Sequence, residues 1–297
     1  MRLTPEPDPF PPPRLHLTVA AQSDVGRARP ENEDRVMVGD PAAGRLWAGP
    51  CEVAVDVAPC GFFALVCDGM GGEVGGEIAS SLATEIISST MTSCWTRFLA
   101  DPPRTIALAE DRLGRGMKAS IDVASSRLQS FARAHPRYQR MGTTATLAAI
   151  GFGAMFVAQV GDSRAYRLRD GVLEQLTRDQ TMAELIRSRT PGLPPNAEVV
   201  GGHVILQAVG ASSKLDVVLT RHDLVPGDTI LLCSDGLSGP VEDERIAAIL
   251  ARDGDLGSRC AELVDAANQS GGPDNVSCVV FRVAERPIPG KLAAGNA

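Results

Sequence analysis

The sequence has no C-x-x-C pair. Its seven cysteines (Cys51, Cys60, Cys67, Cys94, Cys233, Cys260 and Cys278) are odd in number and scattered, and several lie in or beside apolar runs. Reduced core thiols in a cytoplasmic protein are therefore expected, with a Cys51–Cys60 disulfide as the minor alternative. Histidine is scarce: His16, His135, His203 and His222 stand apart from one another, and no Gly-x-Ser-x-Gly elbow occurs. This speaks against a Ser-His-Asp hydrolase and against a histidine-rich zinc site. No apolar run reaches about 18 residues and no secretory leader is recognisable, so no membrane association is expected. Basic residues do not cluster and the net charge is −7, which disfavours a nucleic-acid-binding surface.

What is present is a chain of 297 residues, 44% hydrophobic, long enough for one large domain with a sizeable core. Residues 1–14 are proline-rich, with six prolines in the first 13 positions, and read as a flexible arm. Residues 285–297 read as a flexible tail. The globular unit spans 15–284. Strands are expected at 17–23, 35–38 and 62–67, with 39–61 as an expanded hairpin holding one extra strand at 52–57. Helical periodicity covers 76–99 and 104–134. Short strands follow at 144–150, 154–160, 163–169 and 172–176. A flap is expected at about 178–214, with a helix at 179–189 and a loop at 190–202. Strands at 215–221, 229–233 and 276–283 enclose helices at 242–251 and 256–270. Helices and strands do not alternate regularly, so the class is α+β.

Two apolar runs carry the chemistry. Residues 62–67 lead into Asp68-Gly69, and residues 230–234 into Asp235-Gly236. Each reads as a buried strand delivering a carboxylate to a turn. Asp162 follows the strand at 156–161, and Asp274 precedes the last strand. Carboxylates brought about 4 Å apart repel by roughly 4 kcal/mol per pair at an effective dielectric of about 20. Such a cluster needs cations, and an all-oxygen donor set favours Mg²⁺ or Mn²⁺.

The glycine-rich stretch 68–76 lies between strand and helix and invites comparison with a phosphate cradle. It matches neither G-x-G-x-x-G, because Val74 stands where a glycine is needed, nor a P-loop, because Gly76 is followed by Glu77. A loop whose backbone closes on a metal, with Gly69 offering its carbonyl, fits better; a tight turn without chemistry is the competing reading. Arg29 to Asp34 would alone be a solvated turn. Beside the other acids, Arg29 could grip two phosphoryl oxygens, and Glu33 or Asp34 could complete a metal shell.

Taken together, Arg29-x-x-Asn32-Glu33-Asp34, Asp68-Gly69-Met70-Gly71-Gly72, Gly142-Thr143-Thr144, Gly161-Asp162-Ser163-Arg164-Ala165-Tyr166, Ser234-Asp235-Gly236-Leu237 and Gly272-Pro273-Asp274-Asn275 resemble the PPM family. These are the metal-dependent serine/threonine protein phosphatases of the 2C type, and the bacterial branch is the most similar. The resemblance covers residues 17–283. It implies a four-layer αββα sandwich of two antiparallel sheets flanked by helix pairs. It also implies two Mg²⁺ or Mn²⁺ ions, bridged by Asp68, with the Gly69 carbonyl on the first and Glu33, Asp235 and Asp274 on the second. Asp162 would help hold a weaker third ion. Asp34 would orient metal-bound water, and Arg29 would bind the substrate phosphate.

The implied reaction is in-line attack of a metal-bridging hydroxide on phosphoserine or phosphothreonine. The implied partners are phosphorylated proteins, a bacterial Ser/Thr kinase or its substrates, met by a cytoplasmic monomer. Met70 and Glu73 stand where relatives carry histidine, so no general acid is assigned. The alternative class is a pseudophosphatase that binds a phosphoprotein or kinase without turnover, and retention of every metal ligand argues against it. Hydrolysis of a small phosphoester is a third option.

Overall fold

The computed structural model describes residues 15–57, 61–71, 75–194 and 199–286. The proline-rich arm at 1–14, Cys60, Glu73 and the end of the tail lie outside the described residues. Cys51 is a free thiol, as are the other described cysteines.

Six strands form one antiparallel sheet: β1 (Leu15–Asp24), β4 (Cys51–Asp56), β9 (Arg164–Arg169), β10 (Val172–Gln175), β12 (Thr229–Cys233) and β13 (Val276–Glu285), in the order β10-β9-β12-β13-β1-β4. The second sheet holds β2 (Asp34–Asp40), β3 (Arg45–Ala48), β5 (Phe62–Met70), β7 (Ala145–Gly151), β8 (Ala154–Val160) and β11 (Val218–Asp223), in the order β11-β8-β7-β5-β2-β3. The two-residue β6 (Gly142–Thr143) extends it by pairing with the end of β5.

Helices α1 (Gly76–Ala100) and α2 (Ile106–Ala134) cover the second sheet, while α4 (Asp235–Ser238), α5 (Asp243–Leu250) and α6 (Leu256–Gln269) cover the first. A short α3 (Met182–Arg189) belongs to the flap. The expected αββα sandwich is therefore present.

Three apolar layers hold it together. Ile87, Met91 and Trp95 of α1, with Leu113, Met117 and Leu128 of α2, pack on Phe63, Leu65 and Leu147. Between the sheets lie Leu17, Val38, Phe62, Ile230 and Phe281. Tyr166, Leu231, Ile246 and Leu263 fill the layer under α5 and α6. The central strands β5, β7, β8 and β12 are covered on both faces, which is why they read as unbroken apolar runs rather than alternating ones. Each fully buried Leu or Phe contributes about 1.5–3 kcal/mol. The α2 glycines are contact points: a Cβ on Gly114 would lie 2.7 Å from the Leu219 side chain, and one on Gly116 3.1 Å from Cys94 Sγ.

The segment 39–61 differs from the expected hairpin. Its first arm, β3, pairs with β2 in one sheet, and its second, β4, pairs with β1 in the other. Both are outermost strands, so the insertion bridges the two sheets along one edge. The expectation of one extra strand missed β3, a four-residue strand with little burial. On the opposite edge, β10 and β11 are the outermost strands, and the flap connects them. Its latter half is docked rather than free: Thr143 and Val209 exchange backbone hydrogen bonds of 3.1 and 2.9 Å, and Gln129 Nε2 donates to the Ser212 carbonyl at 2.6 Å.

Candidate metal centre and active site

Asp68 stands opposite Asp34 in the β2–β5 register. It does not end the strand, as expected, but lies inside it, with Gly69 and Met70 still paired to β6. Two threonines hold its backbone. The Asp68 N–H donates to Thr144 Oγ1 at 2.9 Å, while the Thr144 N–H and Thr143 Oγ1 both donate to the Asp68 carbonyl at 2.8 Å. Asp235, by contrast, opens the helical turn α4. The two Asp-Gly pairs are thus alike in sequence and different in backbone.

Asp34 is buried. Ser234 Oγ, at the end of β12, donates to its Oδ2 at 2.7 Å, and the Ser277 N–H of β13 donates to Ser234 Oγ at 3.0 Å. This chain ties one sheet to the other directly beneath the acids. Glu33 reaches the start of α1, where its carboxylate accepts the Gly76 N–H, a placement the helix dipole favours. A Cβ on Gly76 would stand 2.5 Å from that carboxylate, so the glycine leaves room for it.

Asn275 is the cross-tie. Its Oδ1 accepts the Glu33 N–H at 2.8 Å, and its Nδ2 donates to the carbonyls of Val25 and Glu31 at 2.9 Å. Gly236 lets the Asp235 turn press against it: a Cβ there would lie 1.9 Å from the Asn275 carbonyl. Asp274 Oδ2 accepts Arg29 Nη2 at 2.7 Å. Arg29, expected to serve substrate phosphate, therefore lies on an acid of the cluster, with its side chain 49% exposed. Asp162 follows Gly161, which takes a left-handed conformation at φ 101°. Gln180 fixes that turn by accepting the Gly161 N–H at 2.7 Å and donating its own N–H to the Gly161 carbonyl at 3.0 Å.

The charges fall in sequence. Asp274 neighbours Asp235, which neighbours Asp68 and Asp162; Asp34 adjoins Asp68 and Asp235. Burial pushes Asp34 up to about 7 and does the same for Asp162, to which the Asp235 charge adds. Asp68 is held well above the usual carboxylate range by desolvation and by the Asp34, Asp235 and Asp162 charges. Its side chain lies against that of Asp235, which desolvation and Asp274 also raise. Desolvation raises Glu33 against the pull of Arg29.

Among the described residues no three acid, histidine or cysteine side chains converge as a ready-made metal cage. Each of these aspartates nevertheless adjoins at least one other, and Arg29 pairs with Asp274 at one end of the row. Three of their oxygens, Asp34 Oδ1, Asp162 Oδ1 and Asp235 Oδ1, are buried and accept no hydrogen bond. Buried carboxylate oxygens without partners are costly, and hard divalent cations are the partners this donor set suits. The residues present fit such ions.

In metal-free protein the raised acids bind protons that the unfolded chain releases near pH 4. Their contribution to stability is full below that pH and is lost as pH rises through about 7. Calorimetry in chelator is expected to show a higher melting temperature near pH 5 than near pH 8, with added Mn²⁺ closing the gap. Equal melting temperatures would refute the reading of a carboxylate cluster short of cations.

Thr144, Ser234 and Asn275 were not expected as site residues, although each sits inside one of the quoted motifs. Ser234 and Asn275 stand next to an acid in sequence, Thr144 does not, and the partners of all three are visible only in three dimensions. A cleft of about 510 Å³ is lined by Asp162 and Asp235 and by flap residues including Thr181, Arg187 and His203.

Comparison with known proteins bears on this arrangement. A family model described as Protein phosphatase 2C matches residues 52–271. The serine/threonine protein phosphatase PstP of Mycobacterium tuberculosis is 30% identical over 271 residues, covering 91% of this chain and 46% of that protein. The chain thus spans about half the length of that relative. A serine/threonine phosphatase of Listeria monocytogenes is 29% identical over 219 residues, covering 73% of this chain and 82% of its own. Among solved structures, the catalytic domain of PstP in complex with two manganese ions superposes with a TM-score of 0.67 at 31% identity, covering 91% of this chain and all of that one. With three-quarters of its length inside the family model and its two sheets meeting over a crowd of carboxylates, the chain belongs to the protein phosphatase 2C family.

Proposed function

We propose that the chain is a divalent-metal-dependent phosphatase acting on phosphoserine and phosphothreonine in proteins, opposing a Ser/Thr kinase. One observation carries the reading: buried, unpartnered carboxylate oxygens gather where the two sheets meet, beside a cleft open to substrate. The names of the relatives and the manganese in PstP support it.

In this reading Asp68, Glu33, Asp235, Asp274 and the Gly69 carbonyl hold two Mn²⁺ or Mg²⁺ ions, and Asp162 contributes to a third. Bound there, the cations supply an acidified water as nucleophile and neutralise the phosphoryl oxygens. The chain's own residues do the rest. Asp34, fixed by Ser234, accepts a proton from water at its free Oδ1. Arg29, half-exposed beside Asp274, would bind the phosphoryl group. The Thr143–Thr144 clamp holds Asp68 at one height, and Asn275 holds Glu33. Such positioning matters because misplacement by about 1 Å can cost 10²-fold in rate.

The test is a metal titration. Turnover of a phosphothreonine peptide and of p-nitrophenyl phosphate is expected to vanish in EDTA and to return with Mn²⁺ or Mg²⁺. Full activity without metal would overturn the mechanism. Metal binding with no turnover of either substrate would instead indicate a protein that binds phosphoproteins without hydrolysing them.

A further inference from the structure

The cleft has two guanidinium groups on its walls, and they differ in one respect. Arg164 is committed: its Nε and Nη2 clamp Asp179 at 2.7–3.1 Å, and its Nη1 donates to Tyr166 Oη at 2.7 Å. Arg187, near the end of α3, has no ion pair or side-chain hydrogen bond among the described residues, and its Nε is buried without an acceptor. A buried donor left unmade is costly and calls for a partner. Carboxylates stand close in the same cleft: Asp179 is spoken for by Arg164, while Asp162 and Asp235 belong to the metal centre.

Resting on the phosphatase reading above, we propose that Arg187 is a specificity-determining residue. It binds an anionic group that flanks the phosphorylated residue of the substrate, either an Asp or Glu side chain or a second phosphate.

Position separates this role from that of Arg29. The acids run from Asp274 through Asp235 to Asp162, and Arg29 sits on the Asp274 end. Arg187 lines the cleft together with Asp162 and Asp235, and neither Asp274 nor Arg29 is among the lining residues. A phosphoryl group at the metals leaves the flap end for the neighbouring part of the peptide. The planar fork of an arginine suits carboxylate or phosphate oxygens at that point. The mount is firm as well. Helix α3 is capped by Thr181, whose Oγ1 accepts the Glu184 N–H, and the Met182 and Ala183 N–H groups donate to the carbonyls of Val204 and Gly202.

The experiment uses the full chain with Mn²⁺ and four substrates: p-nitrophenyl phosphate and three phosphothreonine peptides, flanked by alanine, by glutamate or by a second phosphothreonine. The wild type is expected to favour one or both anionic peptides over the alanine peptide through KM. Arg187→Gln is expected to raise KM for the favoured peptide about tenfold to a hundredfold with little change in kcat, and so to erase the preference. Arg187→Lys is expected to restore part of it, and Arg189→Gln, outside the cleft, to keep it.

The glutamate and phosphate arms tell the two anion sources apart. An equal loss on all four substrates would overturn the proposal, by showing that Arg187 serves the scissile phosphoryl group or the fold. No wild-type preference, or one that survives Arg187→Gln, would also overturn it. A wild type that hydrolyses nothing, p-nitrophenyl phosphate included, would defeat the phosphatase reading itself, a result distinct from these.

Discussion

Replacing Asp68 with asparagine is expected to lower phosphatase turnover by on the order of 10³-fold or more while making the metal-free protein more stable. The two effects have one cause. Asp68 adjoins three other carboxylates, those of Asp34, Asp235 and Asp162. With cations present its charge helps to bind them. Without cations the same charge is a liability, and desolvation with the neighbouring charges holds the Asp68 carboxyl well above its ordinary range.

An amide offers a donor to Asp235 and cannot ionise. The metal-free variant is thus spared the cost of burying a group that ionises in the unfolded chain, and each 1 kcal/mol gained raises the melting temperature by about 2–4 °C in a domain of this size. Turnover, manganese titration by calorimetry and melting in chelator give the three readouts. Near-normal turnover, or a metal-free variant that melts below the wild type, would sink the assignment.

Gly236→Ala is expected to weaken manganese binding at least about tenfold and to lower stability by about 1–3 kcal/mol. Helix propensity alone predicts the opposite sign. Gly236 lies in α4, where alanine is favoured over glycine by about 1 kcal/mol. Packing decides otherwise, because the new Cβ would stand 1.9 Å from the Asn275 carbonyl and 2.8 Å from its carbon. Backbone, not a flexible side chain, blocks it. Relief must push the Asp235 turn away from the Asp274–Asn275 turn, and both acids move. Metal affinity equal to that of the wild type, measured on folded protein, would show that these turns do not set the site.

Much of this was legible from residues alone. Helices α1 and α2 announced themselves through periodicity, and the doubly covered strands through apolar runs. The acids could be picked out because they sit at the ends of those runs, beside glycines. What stayed hidden depended on contacts far apart in sequence. Asn275 touches Glu33 across 242 positions, and Ser234 touches Asp34 across 200. No local pattern marks such ties. The path of residues 39–61 was misread because a strand pattern does not say which sheet a strand joins. That Asp68-Gly69 continues a strand while Asp235-Gly236 starts a helix was also hidden, since the difference comes from the pairing of Gly69 and Met70 with Thr143 and Gly142.

The two edge crossings have a mechanical meaning. The sandwich resembles a book whose spine is the 39–61 insertion, with one cover sewn to β3 and the other to β4. Its fore-edge lies at β10 and β11, where the flap joins the covers and the Arg167 and Arg169 side chains of β9 donate to the Asp223 carbonyl of β11. Both edges are thus tied, the spine by chain connection and strand pairing, the fore-edge by the flap and these arginines. The wall that carries Arg187 and the turn that carries Asp162 share that margin through Gln180. A pull on that margin therefore reaches the cleft wall and an acid of the metal centre together, through one glutamine side chain and its backbone.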